Sequence, residues 1–163
     1  MGDDPDRVLE QPANDAVLRY LQTSSGLEAP PSEPPASIPD VYFRLGTHPD
    51  LVEWLWVTLA AELPVDCSWV VYRRPVLRHS ASGIIFAFAG GTHMYALRLP
   101  EAERSEVFAR RSSRQFLVNG KTWLDLDDLG VEWAFGSWQK DEARWCRAAY
   151  DLAGRAPDDP PSR

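Results

Sequence analysis

The chain has 163 residues, a formal net charge of −7 and seven tryptophans. This length fits one domain that can bury its own core, and the apolar share of 44% is ordinary for a globular protein. The longest apolar run, Ile84 to Gly91, is far too short to cross a bilayer, and the acidic start "MGDDPDRVLE" is unlike a secretory signal. Because the two cysteines provide no disulfide framework, we expect a reduced, cytoplasmic protein without a membrane segment.

The N-terminal residues 1–40 are predicted to be a flexible, acidic and proline-rich segment with one short helix. Asn14 or Asp15 can cap this helix, in which Val17 and Leu21 share a face. The following "EAPPSEPPASIPD" contains five prolines, which favour an extended spacer over packed structure.

The folded domain is therefore expected at residues 41–153, followed by a disordered tail at 154–163.

A first domain helix is predicted at 49–63, in "THPDLVEWLWVTLAAEL". Thr47 can cap this helix, and Asp50 completes an arrangement similar to a capping box. Four leucines recur at helical spacing and define one apolar face: Leu51, Leu55, Leu59 and Leu63. Trp54, Trp56 and Val57 make the rest of the helix unusually apolar, so the helix is either packed on two sides or offers aromatic surface to a partner.

The next segment, "SWVVYRRPVLRHS", predicts one or two strands, and Pro75 favours a sheet edge for part of it. The stretch "SGIIFAFAGGTHMYALRLPE" predicts a hairpin at 82–99 that turns at Gly90-Gly91. In that register one face is bulky, with these residues opposite one another: Ile84, Phe86 and Phe88 facing Leu97, Tyr95 and His93. The other face carries small residues, as a sheet packed on both sides requires.

The C-terminal third predicts a helix at 100–111, a second hairpin at 115–126 and a last helix at 138–153. Asn119-Gly120 is the strongest turn signal of the second hairpin. The last helix has an apolar stripe: Trp138, Trp145, Ala149 and Leu152. The sequence thus predicts an α+β domain, in which a small antiparallel sheet of hairpins packs with three helices.

Three stretches resemble the N-terminal domain of the TfoX/Sxy competence-regulator family and its YjbR-like relatives. These are "SGIIFAFAGGTHMYALRLPEAERSEVFA", "QFLVNGKTWLDL" and "EARWCRAAYDLA". In particular, 83–87 is similar to the family's "G-x-x-FA" strand, 95–98 to its "lYlK" strand, and 115–121 to its "pF…GK" strand. The resemblance implies a non-enzymatic regulatory or interaction domain, and it implies no catalytic residue.

Catalytic and metal sites are not predicted. The histidines and cysteines fall at none of the usual zinc-ligand spacings, and no nucleophile motif accompanies Ser82. We therefore expect no catalytic residue, no metal and no cofactor.

The arginines are the best binding candidates, because the guanidinium fork suits carboxylates and phosphates. Four come from two neighbouring segments that could meet at one end of the sheet: Arg73, Arg74, Arg78 and Arg98. Trp133 and Trp138 could join Arg98 in lining a pocket, or they could be core residues. Pairing of Arg98 with an internal carboxylate is an equally open alternative.

The leading functional hypothesis is a non-catalytic cytoplasmic binding or regulatory module that contacts a protein partner or a second copy, with Trp54 and Trp56 as candidate partner surface. One alternative is a small-ligand or enzymatic domain that uses Arg98 with the Trp133/Trp138 region. Another is an anionic partner at the basic stretch 70–121, which has a local charge of +6. The remainder carries −13, which opposes nucleic-acid binding.

Overall fold

A computed structural model describes residues 5–25, 31–35, 47–90, 94–103, 117–118, 121–122, 133–137 and 143–155. Its α-helices are α1 (Pro5–Glu10), α2 (Asp15–Ser25), α3 (Pro49–Glu53) and α4 (Ala143–Ala153). Helix α3 continues without interruption as a π-helical segment, Trp54–Leu59. Among these helices none has the length and apolar character that a membrane span requires.

The strands are β1 (Ser32–Glu33), β2 (Ser68–Val71), β3 (Arg74–Arg78), β4 (Ile85–Gly90), β5 (Met94–Arg98), β6 (Leu117–Val118), β7 (Lys121–Thr122) and β8 (Trp133–Ser137). In the described part of the chain, six of them form one sheet in the order β1-β2-β3-β4-β5-β8. Each neighbouring pair is antiparallel. The predicted α+β class, with an antiparallel sheet built from hairpins, is confirmed.

Helices cover both faces of this sheet, because alternate strand residues are apolar on both sides. On one side, the α3–α4 face, Leu55 and Ala149 pack with Leu77, Ala87 and their neighbours. On the other side, the α1–α2 face, Val8 and Leu21 pack with a second set of strand residues: Trp69, Val71, Val76, Ile85, Phe88 and Ala96. The sheet is therefore the middle layer of three.

The β4–β5 hairpin is confirmed, but its predicted register is wrong. Ala89 pairs with Tyr95 and Gly90 with Met94, so three residues, 91–93, separate the strands instead of the two glycines we predicted. Residues 91–93, with His93, lie outside the described residues. Since pairing parity decides the face, Phe88 packs on the α1–α2 face, opposite to Tyr95.

A β-bulge in β4 explains why Phe86 nevertheless shares a face with Tyr95. Leu77 pairs with Ala87 but Arg78 pairs with Ile85, so β4 holds one extra residue, Phe86, at this point. The extra residue breaks the alternation, and Phe86 joins Ala87 on the α3–α4 face. The sorting of bulky and small residues onto separate faces, which the sequence had predicted, is therefore wrong.

The segment 68–78 forms two strands joined by a tight turn at Tyr72 and Arg73, whose φ angles are 48° and 64°. Pro75 does not lie on a sheet edge, because β3 is an interior strand. In a two-residue hairpin the closing pair, Val71 and Arg74, exchanges hydrogen bonds, so the next pair along does not. Pro75 takes that next position opposite Val70, and the β4 ladder begins only at Val76.

The first domain helix begins as predicted but ends earlier. His48, not Thr47, caps it, since the His48 Nδ1 accepts a hydrogen bond from the Asp50 amide at 3.1 Å. The four leucines are buried, as their spacing predicted. The helical hydrogen bonding ends at Leu59, four residues before the predicted end.

The remaining predicted elements are described in part. The hairpin predicted at 115–126 pairs Leu117 with Thr122 and Val118 with Lys121, and these strands form a separate two-stranded sheet. Asn119 and Gly120, its predicted turn, lie outside the described residues. Of the helix predicted at 100–111, residues 101–103 are helical, Pro100 precedes the helical residues, and 104–111 lie outside the described residues. The last helix is described from Ala143, and Trp138 lies outside the described part.

The N-terminal segment is more structured than the sequence suggested. Val17 and Leu21 of α2 are buried, as is Val8 of α1, so these helices cover one face of the sheet. Within the proline-rich stretch, β1 extends the sheet along β2, and its Ser32 hydroxyl accepts a hydrogen bond from the Trp69 indole. The described parts of 1–40 thus belong to the packed domain.

Asn14 ties this segment to the sheet instead of capping α2. Its buried side-chain amide donates to the carbonyls of Val8 and Gly83, each at 2.8 Å. Its oxygen accepts from the Ile85 amide, also at 2.8 Å. Gly83 has a φ of 78°, which glycine adopts readily, and this conformation shapes the 79–84 turn between β3 and β4. One side chain therefore joins α1, the turn and β4.

We expect Asn14→Ala to lower the free energy of unfolding by about 3 kcal/mol, because it leaves three buried backbone groups without partners and each such group costs about 1–3 kcal/mol. Gln11 is the graded control: its Nε2 makes one partly buried bond to the Ser82 carbonyl, at 2.9 Å. Gln11→Ala should therefore cost about 1 kcal/mol. Urea unfolding followed by circular dichroism measures both, and equal small losses would contradict the assignment.

Candidate functional site

The outer side of α3 and its π-helical extension is the first candidate site. Six exposed residues form this surface, named the Val57 surface below: Asp50, Glu53, Val57, Thr58, Ala61 and Glu62. The opposite side of the helix is fixed on the sheet by buried Leu51 and Leu55. Helical spacing of those leucines thus leaves the other side facing solvent.

Val57 is 55% exposed, which makes it the large apolar side chain of the described residues that is most open to solvent. It lies within the π-helical segment Trp54–Leu59. π-Helical segments are rare in proteins as a whole, but those that occur are often found at functional sites. Their wider turn changes the direction in which side chains project. An exposed valine at this position is the observation that singles out the surface.

Trp54 and Trp56, the predicted partner surface, lie beside Val57 but are half-buried. The Trp54 ring packs against Tyr95 with 4.7 Å between ring centroids. The Trp56 indole donates a hydrogen bond to the Val76 carbonyl at 3.0 Å. Both rings therefore anchor the helix to the sheet, and only part of each can be offered to a partner.

The charged residues of the Val57 surface are acidic. Asp50 and Glu53 precede Val57 on the exposed side, and Glu62 follows it. The surface thus has an apolar centre with carboxylates on two sides. Its local potential is complementary to a basic partner.

The four candidate arginines do not meet at one end of the sheet. Arg73 is in the β2–β3 turn and Arg74 begins β3, whereas Arg78 ends β3 about 13 Å away, at four residues of strand rise. Arg98 is the last residue of β5 and lies at the same end of the sheet as Arg78, because β3 and β5 run in the same direction. The prediction of a single arginine cluster is wrong.

The individual environments of these arginines differ. Arg78 is buried and its guanidinium lies over the Trp69 ring, 3.9 Å from the centroid, as expected for a packing role. Burial lowers the pKa of Arg74, and the nearby Tyr20 opposes that shift. Arg73 is exposed. These residues therefore offer different chemistry at separate places.

Arg98 is half-buried and belongs to β5 at its junction with β8. The strand register places it directly opposite Trp133. A pocket lined by Arg98 and Trp133 stays a prediction. Trp138, the third member of the predicted pocket, lies outside the described residues.

The two cysteines are buried in the core of the α3–α4 face. Burial raises the pKa of the Cys67 thiol to about 12, and the nearby Asp66 adds to the rise. Burial also raises the pKa of the Cys146 thiol. Both thiols are therefore protonated at neutral pH and unsuited to nucleophilic attack. Among the described residues no three histidines, cysteines or carboxylates are grouped closely enough to hold a metal ion.

Sequence reasoning did not assign the roles of three residues: Val57 was considered only as part of an apolar helix, and His79 and Asn14 only as a possible metal ligand and a possible helix cap. Val57 had a usable signal, since it follows Glu53 by four positions on the polar side of a helix whose leucines were already assigned. His79 accepts hydrogen bonds at its Nδ1 from the amides of Ala81, at 3.1 Å, and Ser82, at 3.4 Å. Its role is local, but no residue pattern indicates it.

Comparisons with known proteins identify no relative. No family model matches the chain, and no curated protein and no solved structure matches it either. A relationship to the TfoX/Sxy family therefore stays a prediction, and any functional argument has to come from the chain itself.

Proposed function

We propose that the protein is a non-catalytic binding module that contacts a protein partner through the Val57 surface. The observation that supports this is the 55% exposure of Val57 at the centre of a helix side whose charged residues are all acidic. Covering an apolar side chain of this size in an interface is favourable, at about 25 cal/mol per Å² removed from water.

The support beneath Val57 suits binding. The Trp56 indole is fixed by its hydrogen bond to Val76, and Trp54 is fixed by its contact with Tyr95. A surface that is already ordered loses little conformational entropy when a partner binds. The two tryptophans would thus contribute to binding as ordered side chains next to Val57 in the helix.

The charges indicate the chemistry of the partner. Asp50, Glu53 and Glu62 would face the rim of any interface centred on Val57. In a twofold dimer through this surface, the same carboxylates would be brought together and would repel. The proposal therefore commits to a different protein, with an apolar centre and a basic rim.

The test begins with a photo-crosslinking amino acid at position 57, and at Arg19 as the control position. Arg19 is exposed on α2, which packs on the opposite face of the sheet. A protein that crosslinks in native cells to position 57 but not to position 19 is then purified, and its binding to the wild-type chain is measured. We expect Val57→Asp to weaken binding at least tenfold, which corresponds to about 1.4 kcal/mol, because it would bury an unpaired carboxylate at the centre of the interface.

Arg19→Asp is the matched control, because it also introduces an aspartate. The Kd of Arg19→Asp should stay within a factor of two of the wild-type value. Binding of the wild-type chain should weaken as the salt concentration rises, because salt screens the attraction between its carboxylates and a basic partner. Thermal unfolding checks that both variants are folded. A partner captured equally from both positions, or a Kd unchanged by Val57→Asp, would contradict the proposal.

A second candidate, a small anionic ligand at Arg98, is favoured by the register that places Arg98 opposite Trp133. Citrate and inorganic phosphate are the probes, titrated by calorimetry. Saturable binding that Arg98→Ala abolishes and Arg73→Ala preserves is the expected result, because Arg73 lies at the other end of the sheet. Heat that does not saturate, or equal loss in both variants, would exclude this candidate.

A further inference from the structure

The 79–84 turn is the place where the N-terminal helices, the sheet and α4 meet. The His79 amide donates to the Ile84 carbonyl at 2.9 Å, and the Gly83 amide donates to the His79 carbonyl at 2.8 Å. Asn14 and Gln11 hold the turn from one side through the Gly83 and Ser82 carbonyls. The turn therefore depends on contacts from distant parts of the chain.

Helix α4 holds the turn from the other side. The Ser82 hydroxyl donates to the Ala153 carbonyl at 2.7 Å and accepts from the Ile84 amide at 3.2 Å. The His79 ring packs on Tyr150 with 4.7 Å between centroids. Gly154, which follows the last residue of α4, lies close to the His79 ring: a Cβ at position 154 would be 2.8 Å from the His79 Nε2. Glycine is needed at 154 for this approach.

The His79 imidazole takes one defined protonation state in this arrangement. Its Nδ1 accepts from two backbone amides, so the proton of the neutral ring is on Nε2. A proton added from solvent would have to go to Nδ1. There it would point an N–H at two N–H donors, and both hydrogen bonds would be lost.

The surrounding charges act in both directions. Burial lowers the pKa of His79 most strongly; Asp66 raises it, Arg78 lowers it and Asp151 raises it. Asp151 is itself paired with Arg147 at 3.3 Å, which reduces its pull on the imidazole.

Two further titratable side chains of the described residues near this junction, Tyr150 and Cys67, are neutral. Burial raises the pKa of Tyr150, so its phenol is neutral, and burial likewise keeps the Cys67 thiol protonated. From the α1–α2 connection, the contacts with the turn are the uncharged side-chain amides of Gln11 and Asn14.

We propose that protonation of His79 at Nδ1 opens the 79–84 turn and releases the C-terminal end of α4 from the sheet. The direction follows from linkage: a histidine whose pKa is lowered by folding takes up its proton more readily in the unfolded chain. The stabilisation is complete above the unfolded-state pKa of about 6.5 and is lost as pH falls below it. This pH sensitivity can be tested without the partner proposed for the Val57 surface.

The test compares thermal unfolding of the full chain at pH 7.5 and pH 5.0 for the wild type and His79→Asn. The asparagine Oδ1 can accept from the same two amides, as in an Asx turn, but it does not titrate. The Tm difference between the two pH values should therefore be smaller in His79→Asn, by about 2 °C. His48→Asn is the matched control. The His48 Nδ1 also accepts a backbone hydrogen bond, but His48 caps α3 and is far from the 79–84 turn in the sequence.

NMR of the wild type keeps the proposal testable even if the variant is unstable. Nitrogen shifts should identify the Nε2–H form of His79 at pH 8, and its titration midpoint should lie below about 6.5. As His79 titrates, the Gly83 and Gly154 amide signals should shift or broaden before those of Ala96 in β5. An Nδ1–H form, a normal midpoint with undisturbed glycines, or equal pH dependence in His79→Asn would overturn the proposal.

Discussion

The buried amide of Asn14 is the contact on which the rest of the architecture depends. It satisfies backbone groups in α1, in the 79–84 turn and at the start of β4, with all three bonds at 2.8 Å. Two of these partners are 69 and 71 residues away along the chain. Because a buried polar group without a partner is costly, the N-terminal helices and the sheet are expected to order together.

This constraint also explains how one turn serves both faces of the sheet. The bulge at Phe86 follows immediately after the residues that Asn14 and Ser82 hold, and it directs Phe86 toward α4 while Ile85 faces α1 and α2. Helix α4 in turn packs with the leucines of α3. The position of the Val57 surface therefore depends, through α4 and the sheet, on the 79–84 turn.

Local patterns in the sequence predicted the elements, and long-range contacts decided their details. Alternation predicted β4 and β5, leucine spacing predicted the buried side of α3, and Asn119-Gly120 predicted the second hairpin. The β4–β5 register was missed because loops of two and three residues are compatible with the same glycine pair, and only packing distinguishes them. The role of Asn14 was missed because a local cap and a distant clamp use the same side-chain atoms. Of the candidate site, the partner surface predicted at Trp54 and Trp56 stays a prediction. Both rings are half-buried, and Val57 beside them is the more exposed side chain, which helical spacing alone did not show.

Hydrogen exchange at the Ile85 amide tests the central role of Asn14 most directly, because this amide donates to the Asn14 oxygen. In the wild type, Ile85 should exchange as slowly as Ala96 in β5, through unfolding of the whole domain. In Asn14→Ala, Ile85 should lose at least about tenfold more protection than Ala96 does, as expected when a bond of 1.4 kcal/mol or more is removed locally. Equal loss at the two amides, or fast exchange of Ile85 in the wild type, would contradict the account.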